Sequence, residues 1–65
     1  MNMEIGEAAG RIWKILKADG ETPVTRLKKK SGLPLNHFYM GLGWLAREDK
    51  LSFRRDKRNI LVSLK

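Results

Sequence analysis

Apolar residues recur every three to four positions over the first part of the chain, which is the spacing of one face of a helix. Three charged residues, Glu7, Lys14 and Lys17, fall on the opposite face. The pattern predicts an amphipathic first helix over residues 3–18, ended by Gly20, a residue suited to the left-handed conformation that terminates helices. The apolar stripe of this helix consists of Ile5, Ala8, Ala9, Ile12, Ile15 and Leu16.

Two further helices are predicted in quick succession. Thr22 is expected to cap the second helix, residues 23–31, with Pro23 in its first position, where the missing N–H has no effect. A short turn around Gly32 leads into a third helix over residues 34–48. Two helices joined by a short glycine-containing turn form a helix-turn-helix motif. The residues expected in the core are Val24 and Leu27 from the second helix and Phe38, Leu42 and Leu45 from the third.

After the third helix the period of the apolar residues changes to two, which is typical of strands with one buried face. A polar segment, residues 54–59, separates the two predicted strands and is interpreted as a hairpin tip. A hairpin that follows a helix-turn-helix motif is called a wing. The sequence thus predicts an α+β winged helix-turn-helix, three helices followed by a two-strand wing, in a single domain over residues 1–65. The buried strand positions are predicted to be Leu51, Phe53, Ile60, Val62 and Leu64.

The end of the third helix carries a recognisable string of residues. Residues 42–51 resemble the winged-helix pattern L-x-x-L-x-x-x-x-[GK]-[LI]. Residues 39–50, Y-M-G-L-G-W-L-A-R-E-D-K, together with Ile12-Trp13 and the Leu27-Lys28-Lys29 segment, resemble a family of short prokaryotic winged helix-turn-helix domains of unknown function. The resemblance implies the fold. It leaves function open, because winged helices serve both as nucleic-acid binders and as protein-interaction modules.

Composition argues against several classes of function. A core built from 65 residues leaves little room for a substrate pocket. The chain has no cysteine, and His37 is its only histidine, so we expect no metal site and no cofactor. No nucleophile, base and acid occur in a suggestive arrangement, and we expect no catalytic activity and no small-molecule substrate. Glu4 and Glu7 interrupt any signal-peptide core, and no apolar run could cross a membrane, so a cytoplasmic location is expected.

Charge is distributed unevenly along the chain, whose formal net charge is +7. Residues 1–24 hold three basic and four acidic groups, whereas residues 25–65 hold eleven basic and three acidic groups. The positive field therefore belongs to the second and third helices and the wing, which favours a polyanionic partner. Our leading hypothesis is a DNA-binding domain related to transcription, with RNA as a less favoured ligand.

Candidate nucleic-acid contacts fall into three groups. Cations at the wing tip and on the second helix would hold phosphates without reading sequence. On the outward face of the third helix, Asn36 and Arg47 have the side chains that pair with adenine and guanine in a major groove. The candidates are Arg54, Arg55, Lys57 and Arg58 in the wing, Arg26, Lys29 and Lys30 in the second helix, and Asn36, His37 and Arg47 in the third.

An alternative function is protein interaction without nucleic-acid binding. Met40, Gly43 and Trp44 fall at outward positions of the third helix, where DNA readers usually have polar side chains. An exposed aromatic beside a methionine is typical of protein-contact surfaces. Because the core is small, a homodimer through this surface is expected. Trp13 is expected at the edge of the core.

Gly41 also interrupts the third helix, and a glycine inside a helix indicates close approach of another group. The helical pattern places it towards the second helix. We therefore expect it to make room for the Lys28 side chain.

Overall fold

The computed structural model describes the backbone of residues 2–65 and the side chains of residues 6–65, so the expected core position Ile5 lies outside the described side chains. Three helices and three strands form in the order α-β-α-α-β-β, and the antiparallel sheet has the strand order β1-β3-β2. The winged helix-turn-helix prediction is confirmed, with one more strand than the sequence indicated. The elements are α1 (Asn2–Asp19), β1 (Thr22–Pro23), α2 (Val24–Ser31), α3 (Leu35–Arg47), β2 (Leu51–Asp56) and β3 (Asn59–Leu64).

Glycines end the first two helices as the sequence predicts. Gly20 has a φ of 75°, and its N–H donates to the carbonyl of Leu16 over 2.8 Å. Gly32, at the end of α2, has a φ of 66°. Both values lie in the left-handed region that glycine enters without steric cost. These stops keep the connections between helices short and fix the helix-turn-helix geometry.

The predicted helix cap at Thr22 is wrong. Thr22 pairs with Val62 in the sheet, and its hydroxyl donates back to the carbonyl of Gly20 over 2.9 Å. Pro23 takes the N-cap position with extended backbone angles, and no side chain caps α2. Pairing with β3 satisfies the Thr22 backbone, so the segment is a short edge strand, a place where a proline is tolerated. The N-terminal N–H groups of α2 are left without a side-chain acceptor.

The core lies where α1 crosses the helix-turn-helix motif and the base of the sheet. A Cβ added to Gly41 would lie 2.9 Å from the Cβ of Ala8 and equally close to the α1 backbone. The expectation that Gly41 makes room for Lys28 is therefore wrong, because α1 is the element that approaches this turn of α3. The fully buried large side chains are Ile12, Leu16, Leu27, Phe38 and Val62.

The hairpin of β2 and β3 extends beyond the core. Leu51 and Val62 are buried at its base, but Phe53 and Ile60 are 48% and 50% exposed. Their predicted burial is wrong, since alternation places a side chain on the inner face of a strand without placing a helix opposite it. The turn is also tighter than predicted. It consists of Lys57 and Arg58, and Lys57 has a positive φ of 58°.

Candidate nucleic-acid interface

Three cations stand free at the end of the wing. Lys57 and Arg58 form the turn, and Arg55 lies in β2 opposite Ile60. All three cations are exposed, and none takes part in the ion pairs of the described residues. Like charges crowded on one hairpin repel one another, so they contribute nothing to folding and remain available to an anion.

Arg54, the fourth predicted wing cation, has a partner within the chain. Its Nε and Nη2 donate to the two carboxylate oxygens of Glu21 over 3.1 and 2.7 Å. This hydrogen bonding holds the pKa of Glu21 below its ordinary value and raises the pKa of Arg54. Side chains alternate along a strand, so Arg54 points away from Arg55 and onto the outer face of the sheet. It ties the wing to the segment before β1.

The predicted cations of α2 also divide into free and paired groups. Arg26 and Lys29 are exposed and, together with Thr25, line a shallow recess. Neither takes part in an ion pair among the described side chains. Lys30 forms an ion pair with Asp19 at the end of α1. Arg26 and Lys29 are therefore more available for phosphate contacts than Lys30 is.

The wing tip and the start of α2 lie side by side. Arg58 and Ile60 line a second recess together with Thr25. Because Thr25 borders both this recess and that of Arg26 and Lys29, Arg58 at the wing tip lies near the free cations of α2. We call these three cations, together with Arg55 and Lys57 of the wing, the basic surface. This junction could not be predicted from the sequence, since it joins segments that are distant along the chain.

The outer face of α3 differs in character from this basic surface. Asn36 and Arg47 are exposed as predicted, but so are large apolar side chains. Met40 and Trp44 are 49% and 47% exposed, and Gly43 has open space around it. Leu35 and Tyr39 are also exposed and extend this apolar face.

His37, another predicted contact, lies on the α1 side of α3. It is half-buried and lines a small recess with Glu7 and Arg11. This places it away from the outward residues Asn36 and Arg47. Trp44 lies at the border between the outer face of α3 and its α1 side, because it is half-exposed and also lines a groove with Trp13. Trp13 is partly buried at the core edge, as expected.

Within the side chains that the structure describes, no three histidine or acidic groups come close enough together to hold a metal ion. None of the described helices is long and apolar enough to cross a membrane.

Three helices, an antiparallel sheet and a hairpin directly after α3 define a winged helix-turn-helix domain. The chain belongs to the family described as "Winged helix-turn-helix domain (DUF2582)", whose model matches residues 1–64. The resemblance noted in the sequence is thereby confirmed. The chain is 38% identical to protein MJ1608 of Methanocaldococcus jannaschii, over 95% of this chain and 91% of that protein.

Two solved structures share the fold. The solution structure of protein BT2368 from Bacteroides thetaiotaomicron matches with a TM-score of 0.84 and 28% identity, over 98% of this chain and 79% of that one. The Zα domain of Carassius auratus PKZ, in complex with Z-DNA, matches with a TM-score of 0.75 and 18% identity, over 94% of this chain and 97% of that one. At that identity the second likeness shows the fold alone.

Proposed function

We propose that this chain binds duplex DNA, chiefly through phosphate contacts from the wing tip and α2, and that it acts in transcription without a catalytic step. The observation that carries this proposal is that Arg58 of the wing and Arg26 and Lys29 of α2 line two recesses that meet at Thr25. A row of phosphates would relieve the repulsion among these cations. Releasing the counterions of the DNA would drive binding.

The start of α2 supports the same proposal. No side chain caps this helix, and its first turn contains no acidic residue. The partial positive charge of a helix N-terminus favours anions. That charge adds to the field of Arg58, which borders the same recess.

Sequence reading by α3 would be limited. Asn36 and Arg47 are exposed and can pair with base edges. Their neighbours Met40 and Trp44 offer no such pairing, so we propose a weak sequence preference. The Zα domain with the same fold was solved bound to Z-DNA, which makes a nucleic-acid ligand reasonable for this chain.

A fluorescence titration with random duplex DNA at several salt concentrations tests the proposal. If roughly five phosphates are contacted, log K should fall with log salt with a slope of about −4 to −5. The absence of binding to long duplexes at low salt would overturn the proposal.

The second candidate is a protein-interaction domain that uses Met40, Gly43 and Trp44, with a homodimer as its simplest form. The half-exposed side chains of Met40 and Trp44 favour it. Sedimentation at high micromolar concentration tests the homodimer. If the wild type is a dimer through this surface, Trp44→Ala should give a monomer with a less concentration-dependent melting temperature. If the wild type is a monomer, α3 is free to contact DNA.

A further inference from the structure

A groove between α1 and the end of α3 has tryptophan on both sides. Trp13 of α1 and Trp44 of α3 line it, and Gly10 of α1 is also part of its lining. Its volume is about 300 Å³, and it opens to solvent. We call it the tryptophan groove. It is separate from the basic surface of the wing and α2, since no residue lines both.

Gly10 leaves the groove open at a cost to the helix. A Cβ at this position would meet nothing within 4 Å, so alanine would fit without steric conflict. Glycine inside a helix is less favourable than alanine. Packing within the described chain gives no reason for this glycine, and its lack of a side chain leaves this part of the groove accessible.

The rim of the groove is mostly basic. Lys14 and Lys50 line it, and the ammonium of Lys17 lies 4.8 Å from the centre of the Trp13 ring. Glu48 is the acidic residue on the rim. Apolar walls with lysines around them fit a large apolar side chain that is flanked by carboxylates.

We propose that the tryptophan groove binds an acidic segment of another protein, anchored by one large apolar side chain. A second copy of this chain complements the rim poorly, because each copy carries a net charge of +7. Three of its seven acidic side chains are moreover already paired within the chain, since Asp19, Glu21 and Asp49 form ion pairs with Lys30, Arg54 and Lys65.

A peptide also fits the rim better than a nucleic-acid strand does. Glu48 would repel the phosphate of every nucleotide that passed it, whereas a peptide backbone offers N–H donors to this carboxylate. The same peptide offers side-chain carboxylates to Lys14 and Lys50. The mixed charge of the rim therefore favours a polypeptide, which offers both backbone N–H donors and side-chain carboxylates.

Selection from a phage-displayed library of random dodecapeptides tests the proposal. The recovered peptides should be acidic, should share a large apolar residue, and should bind more weakly as salt is raised. A synthetic selected peptide that contains no tryptophan should change the tryptophan fluorescence of the protein when it binds, since Trp13 and Trp44 are the two tryptophans of this chain. Failure to enrich any peptide, or enrichment of basic or neutral ones, would overturn the proposal.

Filling the groove supplies a variant that keeps the fold. Gly10→Leu places an apolar side chain in the groove and improves helix propensity, so its melting temperature should not fall. It should weaken binding of the selected peptides at least tenfold. Gly6→Leu is the matched control, since Gly6 also has open space but lies outside the groove. Equal binding by the two variants would overturn the site.

A charge reversal on the rim adds an independent arm. Lys14→Glu with Lys50→Glu should weaken binding of the selected peptides at least tenfold. Lys29→Glu with Lys57→Glu makes the same change of charge on the basic surface and should have little effect on peptide binding. Equal loss in both pairs would show that only net charge matters and would overturn the proposal.

Rival occupants have their own outcomes. Self-association of the wild type that Gly10→Leu abolishes would assign the groove to a second copy. Binding of a single-stranded oligonucleotide that Gly10→Leu abolishes would assign it to nucleic acid. Either result overturns the proposal. The affinity of Gly10→Leu for duplex DNA should equal that of the wild type, so the failure of one proposal is distinguishable from the failure of the other.

Discussion

Two glycines of α3 that are separated by a single residue, Gly41 and Gly43, have opposite surroundings. At Gly41 a Cβ would lie 2.9 Å from the Cβ and the backbone of Ala8, whereas at Gly43 nothing lies within 4 Å. Gly41→Ala should lower the free energy of unfolding by about 1–3 kcal/mol through overpacking. Gly43→Ala should raise it by roughly 0.5–1 kcal/mol through helix propensity.

Urea unfolding of the two variants beside the wild type measures both changes. Changes of the same sign would contradict the close packing of α1 on α3. The sequence identified Gly41 as a position of close approach but named the wrong neighbour. Helical periodicity gives the direction of a side chain on its own helix and does not say which element packs there.

The ion pair of Glu21 with Arg54 gives folding a specific pH dependence. The pKa of Glu21 is below its ordinary value of 4.5 in the folded chain. The stabilisation is therefore fully present above that value and is lost as the pH falls through the lowered pKa. Glu21→Gln should melt at a lower temperature than the wild type near neutral pH, and the two should converge in acid.

Melting temperatures recorded from neutral pH to below pH 3 test this sign. Glu48→Gln is the matched control, since Glu48 is exposed and outside the three ion pairs. A wild-type advantage over Glu21→Gln that persisted unchanged in acid would contradict the assignment. Because both partners are exposed, we expect the difference to be small and to shrink further in high salt.

At the scale of elements, the wing is the part of the proposed interface that can be tested by itself. Arg55→Glu together with Arg58→Glu should weaken binding to all duplex sequences about equally, because phosphate contacts carry no base information. Loss of two such contacts should reduce the salt slope by about two. The melting temperature at physiological salt should stay nearly unchanged, since both side chains are exposed.

Titrations of the double variant with several unrelated duplexes provide the measurement. Lys14→Glu with Lys17→Glu makes the same change in net charge on α1 and should have a much smaller effect. An undiminished affinity of the wing variant would show that the wing points away from the nucleic acid.

The elements also show where sequence patterns stop being informative. Alternating apolar residues correctly predicted β2 and β3, since strand geometry is local. They did not predict the exposure of Phe53 and Ile60, which depends on how far the helices reach along the hairpin. The two-residue strand β1 has no periodicity of its own. It forms because Thr22 meets Val62 in the folded chain.

For the molecule as a whole, the charge asymmetry was readable from the sequence, but the availability of each cation was not. In the sequence Arg54 and Lys30 cannot be distinguished from the other basic residues. In the folded chain they pair with Glu21 and Asp19, which are 33 and 11 positions away. The free cations of the wing and α2 remain as the basic surface. The candidate site is thus smaller than the set of predicted residues.

The excess of positive charge should make the stability of the folded chain depend on salt. A net charge of +7 on 65 residues produces self-repulsion, which salt screens. Opposing this, the three exposed ion pairs among the described side chains weaken in salt, but each contributes only about 0–1 kcal/mol.

We therefore expect the melting temperature to rise between about 0.01 and 0.15 M NaCl, as the Debye length falls from roughly 30 to 8 Å. In a domain of this size a change of ~1 kcal/mol moves the melting temperature by about 4–8 °C, which is readily measured. Arg55→Glu with Arg58→Glu lowers the net charge from +7 to +3, since each substitution changes it by two. Its rise should accordingly be smaller than that of the wild type. A melting temperature that fell with salt in the wild type would mean that the ion pairs outweigh the repulsion. Repulsion among the wing cations would then not destabilise the fold, and relief of that repulsion would no longer favour binding of a polyanion.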